Sequence, residues 1–149
     1  MTENAFDASA KRVGSRRQAG ERDMARARVL IVEDEPNIGE SLIFILRKAG
    51  FVADIVADGA DALDRLRRQA CSAVILDIML PGTNGLEVLK NIRADRHLSG
   101  LPVMVLTARG QAADRRTAEA VGASVFVTKP FSNSEVVDHI RRMTAGGGG

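Results

Sequence analysis

Short apolar runs alternate along this chain with longer stretches in which apolar residues recur every three or four positions. The runs are Val29-Leu30-Ile31-Val32, Ala73-Val74-Ile75-Leu76, Val103-Met104-Val105-Leu106 and Val125-Phe126-Val127. Each is rich in β-branched residues and closed by polar or turn residues, which reads as a strand buried on both faces. Phe51 to Val56 alternates less cleanly and is predicted to be a strand nearer a sheet edge. Helices are predicted between the runs. The first, about 36–48, opens on Pro36 and turns Ile38, Leu42, Ile45, Leu46 and Ala49 to one side before Gly50 closes it. The second follows Asp58-Gly59, with Ala62, Leu63 and Leu66 inward and an arginine-rich end. The third, about 85–93, carries Leu86, Val88, Leu89 and Ile92. The fourth, about 111–121, has a thin apolar stripe and predicts weak anchoring. The last, about 133–144, starts at Ser132-Asn133-Ser134 with Glu135 as a capping partner, and turns Val136, Val137, Ile140 and Met143 inward.

Strands and helices in strict alternation predict an α/β fold, a parallel sheet with helices on both faces. Right-handed crossovers favour the doubly wound strand order 2-1-3-4-5.

Composition narrows the function classes. A chain of 149 residues, 45% hydrophobic and 27% charged, has room for one globular domain. No apolar run approaches bilayer length and no secretory signal pattern opens the chain. The single cysteine, Cys71, allows no internal disulfide, so a cytoplasmic protein is expected. Without Trp or Tyr, and with five Phe, platforms for stacking bases or a flavin ring are scarce. The net charge of +2 is uneven. Residues 1–28 carry seven Lys/Arg against four acids, and the remainder fourteen against fifteen. Residues 1–27 are therefore expected to be a disordered basic leader, residues 28–144 the folded domain, and 145–149 a flexible glycine tail.

The strand ends carry the chemistry. Glu33 and Asp34 follow the first strand, Asp77 the third, Thr107 the fourth and Lys129 the fifth, and in a parallel sheet these ends share one rim. Three carboxylates at one rim repel one another. A hard divalent cation relieves that, and an oxygen-only site with retained waters suits Mg²⁺. Such an ion also aligns a phosphoryl group with a carboxylate nucleophile. A Thr hydroxyl can donate to a phosphoryl oxygen, and a Lys ammonium supplies a point charge.

With these residues in place the chain resembles the receiver domain of bacterial response regulators, a flavodoxin-like fold, over about Arg28 to Thr144. The motifs that carry the resemblance are Leu30-Ile31-Val32-Glu33-Asp34-Glu35-Pro36, Leu76-Asp77-Ile78-Met79-Leu80-Pro81-Gly82-Thr83-Asn84-Gly85, Val105-Leu106-Thr107-Ala108-Arg109 and Thr128-Lys129-Pro130-Phe131. The resemblance implies that Asp77 accepts a phosphoryl group from a histidine kinase or histidine phosphotransfer protein. It implies Asp34 as a direct Mg²⁺ ligand with Asp77, Glu33 acting mostly through water, and the Met79 carbonyl completing the protein's share. Thr107 is implied as the switch hydroxyl, Lys129 as the partner of Asp77 and then of the phosphoryl group, and the Lys129-Pro130 bond as cis. Phe126 takes the place of an aromatic rotamer switch that turns inward when Thr107 moves and reshapes a partner-binding face. The protein would catalyse its own phosphorylation and dephosphorylation and have no separate enzymatic output. Ala123-Ser124-Val125 stand where many receivers have acidic residues, so a monomer or a weak phosphorylation-dependent dimer is expected. No effector domain follows the last predicted helix, which fits a stand-alone receiver or one cut from a longer protein. The downstream partner is left open, with no direct DNA or membrane binding expected of the domain.

The same residues admit three rival readings. A haloacid-dehalogenase-like phosphatase needs a carboxylate two residues after its nucleophile, where this chain has Met79 after Asp77 and Pro36 after Asp34. A flavin or nucleotide module needs free backbone N–H groups after the first strand, where this chain has Glu33-Asp34-Glu35-Pro36. The third rival is a receiver-shaped interaction module that signals without phosphorylation. For partners, Asn37, Ile38, Ser41 and Phe44 on the first helix, with Lys48, are read as a kinase-docking patch bordering Asp34.

Overall fold

All five residues of β3 (Ala73–Asp77) are buried, as its unbroken apolar run requires of a strand covered on both faces. The structure is a computed structural model that describes residues 26–80, 83–108 and 112–147. Expectations for the leader up to residue 25, for Pro81-Gly82, Arg109 and Gln111, and for the last two glycines lie outside the described residues. Around β3 stand β1 (Arg28–Val32), β2 (Val52–Val56), β4 (Val103–Ala108) and β5 (Val125–Lys129). Their order is β2-β1-β3-β4-β5 and every pairing is parallel. This is the doubly wound order expected, with β2 at an edge.

Five helices connect the strands: α1 (Pro36–Lys48), α2 (Gly59–Arg68), α3 (Gly85–Ala94), α4 (Ala112–Val121) and α5 (Asn133–Gly147). Local chemistry sets their ends. Pro36 starts α1 without needing a donor, and Gly50, at φ +99°, follows its end in the left-handed region. The side chains of Asp58 and Asn84 accept from the N–H groups of Asp61 and Leu86, capping α2 and α3. The Ser132 hydroxyl accepts from the Glu135 N–H at the start of α5. That helix runs past 144, where the Thr144 hydroxyl bonds back to the Ile140 carbonyl (2.8 Å). Between β3 and α3, Met79–Leu80 pairs antiparallel with Thr83–Asn84, a small hairpin where the sequence suggested turn residues alone.

Alternate strand residues feed two cores. Leu30, Val32, Val74, Leu76, Val103 and Val105 face Leu66, Leu89, Ile92 and Ala118 of α2, α3 and α4. Val29, Ile31, Ile75, Met104, Leu106 and Val127 face Leu42, Leu46, Val136 and Ile140 of α1 and α5. Each fully buried Leu, Ile or Val contributes about 1.5–3 kcal/mol over an exposed one, so the sheet is held from both sides and its rim is fixed. α4 is the exception. Among its described side chains Ala118 alone is buried, in keeping with its thin stripe.

Candidate functional site

The carboxyl ends of β1, β3, β4 and β5 bring Glu33, Asp34, Asp77, Thr107 and Lys129 to one rim. Asp77 closes β3 and is 2% exposed. Its Oδ1 accepts from the Met79 N–H (2.9 Å), and its Oδ2 accepts from Lys129 Nζ (3.0 Å). The same ammonium lies 3.4 Å from Glu33 Oε1, an ion-pair contact without hydrogen-bond geometry. The Lys129-Pro130 peptide is cis, as the resemblance implied.

Glu33 is tied at its backbone, where its N–H donates to the Val56 carbonyl (3.0 Å), and at Oε2, which accepts from the Glu35 N–H (3.1 Å). Its Oε1 is buried and has no hydrogen-bond donor. One oxygen each from Glu33, Asp34 and Asp77 lie within 4.8 Å of one another. Burial, and next the adjacent Asp77 carboxyl, push Glu33 up to about 7, against the opposing pull of the Glu35 N–H and Lys129. For Lys129, burial alone lowers the pKa. The hydrogen bond to Asp77 and the charges of Asp77 and Glu33 outweigh it, and the net shift is upward, so this ammonium keeps its proton at neutral pH. An orphaned buried carboxylate oxygen beside two further carboxylates is a fitting donor set for a hard divalent cation.

Thr107 is 3% exposed. It follows Leu106, which pairs with Asp77, and it stands opposite Thr128 of β5. Phe126 is half-buried on the same face of the sheet, two residues before Thr128. Met79 exposes its side chain (57%) while its N–H holds Asp77. The structure therefore gathers the acids and the lysine directly, and puts Thr107 one strand away from Asp77.

Sequence reasoning treated Gly85 as a turn residue and missed its role. A methyl group there would lie 2.5 Å from the Asp77 carbonyl oxygen and 2.6 Å from the Ile78 Cα. Glycine is needed so that α3 can start against the backbone that follows Asp77. The Asn84-Gly85 pair was the available signal.

On α1, Asn37 and Ser41 are exposed and Phe44 is 65% exposed, whereas Ile38 is half-buried against the α1–α5 core. Lys48 Nζ lies 5.8 Å from the Phe44 ring centroid. A shallow depression of about 400 Å³ runs between Phe44 and Lys48 on α1 and Val137 and Arg141 on α5.

The sequence model of the response regulator receiver domain matches residues 29–141. The chain is 43% identical over 120 residues to the sensory transduction protein RegX3 of Mycobacterium tuberculosis, a match covering 80% of this chain and 52% of that protein. It is 40% identical over 119 residues to the DNA-binding response regulator MtrA of Mycolicibacterium smegmatis, covering 80% and 51%. The chain thus spans about half the length of these curated relatives. Among solved structures, it matches the receiver domain of the sensor histidine kinase PA1611 from Pseudomonas aeruginosa PAO1, which has a magnesium ion coordinated in its active-site cleft. That match has a TM-score of 0.75 at 30% identity and covers 81% of this chain and 99% of that one. Among the described residues no helix is long and apolar enough to cross a membrane. With the fold, the rim residues and these matches in agreement, the chain belongs to the response regulator receiver domain family of two-component systems.

Proposed function

We propose that Asp77 accepts a phosphoryl group from a phosphohistidine on a histidine kinase or histidine phosphotransfer protein, and that the acyl phosphate switches a partner-binding face. The observation that carries this reading is how Asp77 is held: buried at a strand end, oriented by the Met79 N–H and paired with Lys129 beside Glu33 and Asp34. An Asp77 carboxylate oxygen forms the new P–O bond as the P–N bond of the donor breaks, and the imidazole leaves with that electron pair. Met79 N–H fixes the rotation of the carboxylate, so attack geometry is set before the donor arrives. Lys129, already at the nucleophile, is the cation that the phosphoryl oxygens meet. Asp34, Asp77 and the Met79 carbonyl would hold Mg²⁺, with Glu33 acting through water, and such an ion would supply positive charge opposite the phosphoryl oxygens.

Phosphorylation adds negative charge and acceptors at Asp77. Thr107 is the hydroxyl placed to answer it, and Phe126 fills the space that Thr107 leaves, which changes the face made by α4, β5 and α5. The chain drives its own phosphorylation and dephosphorylation and signals through that face. The Phe44 surface of α1 receives the kinase or phosphotransfer protein. The downstream partner is read as a protein, because the surplus positive charge lies in residues 1–28 and not in the domain. Intact mass after incubation with acetyl phosphate tests this. One phosphoryl addition is expected with Mg²⁺ and none without it or in Asp77→Ala; addition that persists in Asp77→Ala contradicts the assignment.

A further inference from the structure

Phe126 lies within β5, half-buried, its ring packed on the edge of the core beneath α2, α3 and α4. It pairs across the sheet with Val105. Thr107 is two residues further along β4, so the ring and the hydroxyl share one face of the sheet. The ring is covered from α4 by Arg115, whose guanidinium carbon lies 5.0 Å from the ring centroid. A guanidinium within about 6 Å of an aromatic face is attracted by the ring quadrupole. Arg115 is exposed; among the described side chains of its helix Ala118 alone is buried, with Val121 half-buried on the core, so the contact joins a thinly anchored helix to the ring.

We infer that Arg115 is a positioning residue: it holds Phe126 in the orientation seen here and biases the chain toward the unphosphorylated form. The inference rests on the reading of Phe126 and Thr107 as the switch. When the ring turns inward toward the space left by Thr107, it leaves the guanidinium on the solvent side of α4. On that reading the switched form gives this contact up. A Phe ring has no hydroxyl with which to replace the lost interaction by a hydrogen bond, so the contact weighs directly on the balance between the two orientations. An exposed cation–π contact corresponds to a factor of about two to five in an equilibrium constant. A ligand that binds the switched form alone gains affinity by that factor when the contact is removed.

Calorimetric titration of the full chain with beryllium fluoride and Mg²⁺, a phosphoryl mimic on a carboxylate, tests this. Arg115→Gln is expected to bind about two- to fivefold more tightly than wild type, and Arg115→Lys, which keeps a cation, to restore most of the wild-type affinity. Arg116→Gln removes a neighbouring exposed charge and is expected to match wild type. In a Phe126→Leu background, Arg115→Gln should change nothing further. Equal or weaker binding by Arg115→Gln, or equal tightening by Arg116→Gln, overturns the role of Arg115 while leaving the receiver chemistry standing. No binding of the mimic by the folded wild type overturns the receiver chemistry and this role together.

Discussion

Glu33 carries an oxygen that is buried, adjacent to the Asp77 carboxyl and without a donor. Because its pKa in the fold lies above the ordinary 4.5, the stability that goes with its protonated form is complete below that value and is lost as pH rises through about 7. The loss is complete once Glu33 is ionised in the absence of metal, because Lys129, 3.4 Å from its Oε1, offsets only part of the cost of burial beside Asp77. Urea unfolding of metal-free protein at about pH 5 and at about pH 8 is expected to show the wild type weaker at the higher pH. Glu33→Gln, which can donate to Asp77 and carries no charge, should remove most of that difference, and Mg²⁺ should restore the wild type at high pH. A wild type equally stable at both values, free of metal, contradicts the picture of a buried acid that Lys129 compensates only in part. The places of Asp77, Thr107 and Lys129 at the strand ends were legible in the sequence because each follows an apolar run that the local pattern marks as a strand. The orphaned oxygen of Glu33 was not, since it depends on β1, β3 and β5 converging on one point.

At the scale of elements, one arginine joins three segments that its sequence neighbourhood does not reveal. The Arg93 guanidinium, at the end of α3, donates to the carbonyls of Gly122 (2.9 Å), Ser99 (3.1 Å) and Leu101 (2.7 Å). Burial lowers its pKa, yet a guanidinium stays charged. It therefore ties the end of α4 and the loop before β4 to α3. Arg93→Ala is expected to cost about 1.5–3 kcal/mol in denaturant unfolding and to speed amide exchange between residues 98 and 102. Arg93→Lys should recover little of this, because one ammonium cannot span the fork of three carbonyls. Unchanged exchange in that loop would contradict the tie. Strands and helices were readable from apolar spacing to within a few residues. The Arg93 anchor was not, because carbonyl acceptors belong to every residue and leave no mark in a sequence. The hairpin after β3 was hidden for a related reason, its strands being two residues long.

Across the whole molecule, the chemistry sits at one rim and the exposed Phe44 lies on the helix that starts beside it. An exposed ring contributes little to folding, so Phe44→Ala is expected to leave stability within about 0.5 kcal/mol. It should slow phosphotransfer from a phosphorylated histidine protein while leaving the rate from acetyl phosphate unchanged. Equal slowing with both donors would place its effect in the site and not in docking. The parallel order and the rim could be read from the alternation of elements, because a right-handed crossover leaves few other arrangements. Which surface a partner uses depends on the partner, and Phe44 stands out in the sequence only as an apolar side chain that both cores leave exposed. The proposed phosphotransfer and switch both depend on Asp77 carrying the phosphoryl group. Borohydride reduction of the acetyl-phosphate-treated protein, followed by peptide sequencing in a mass spectrometer, tests it most directly. Homoserine at position 77, dependent on Mg²⁺, is the expected result; an unmodified Asp77 with the phosphoryl group mapped to any other residue would contradict it.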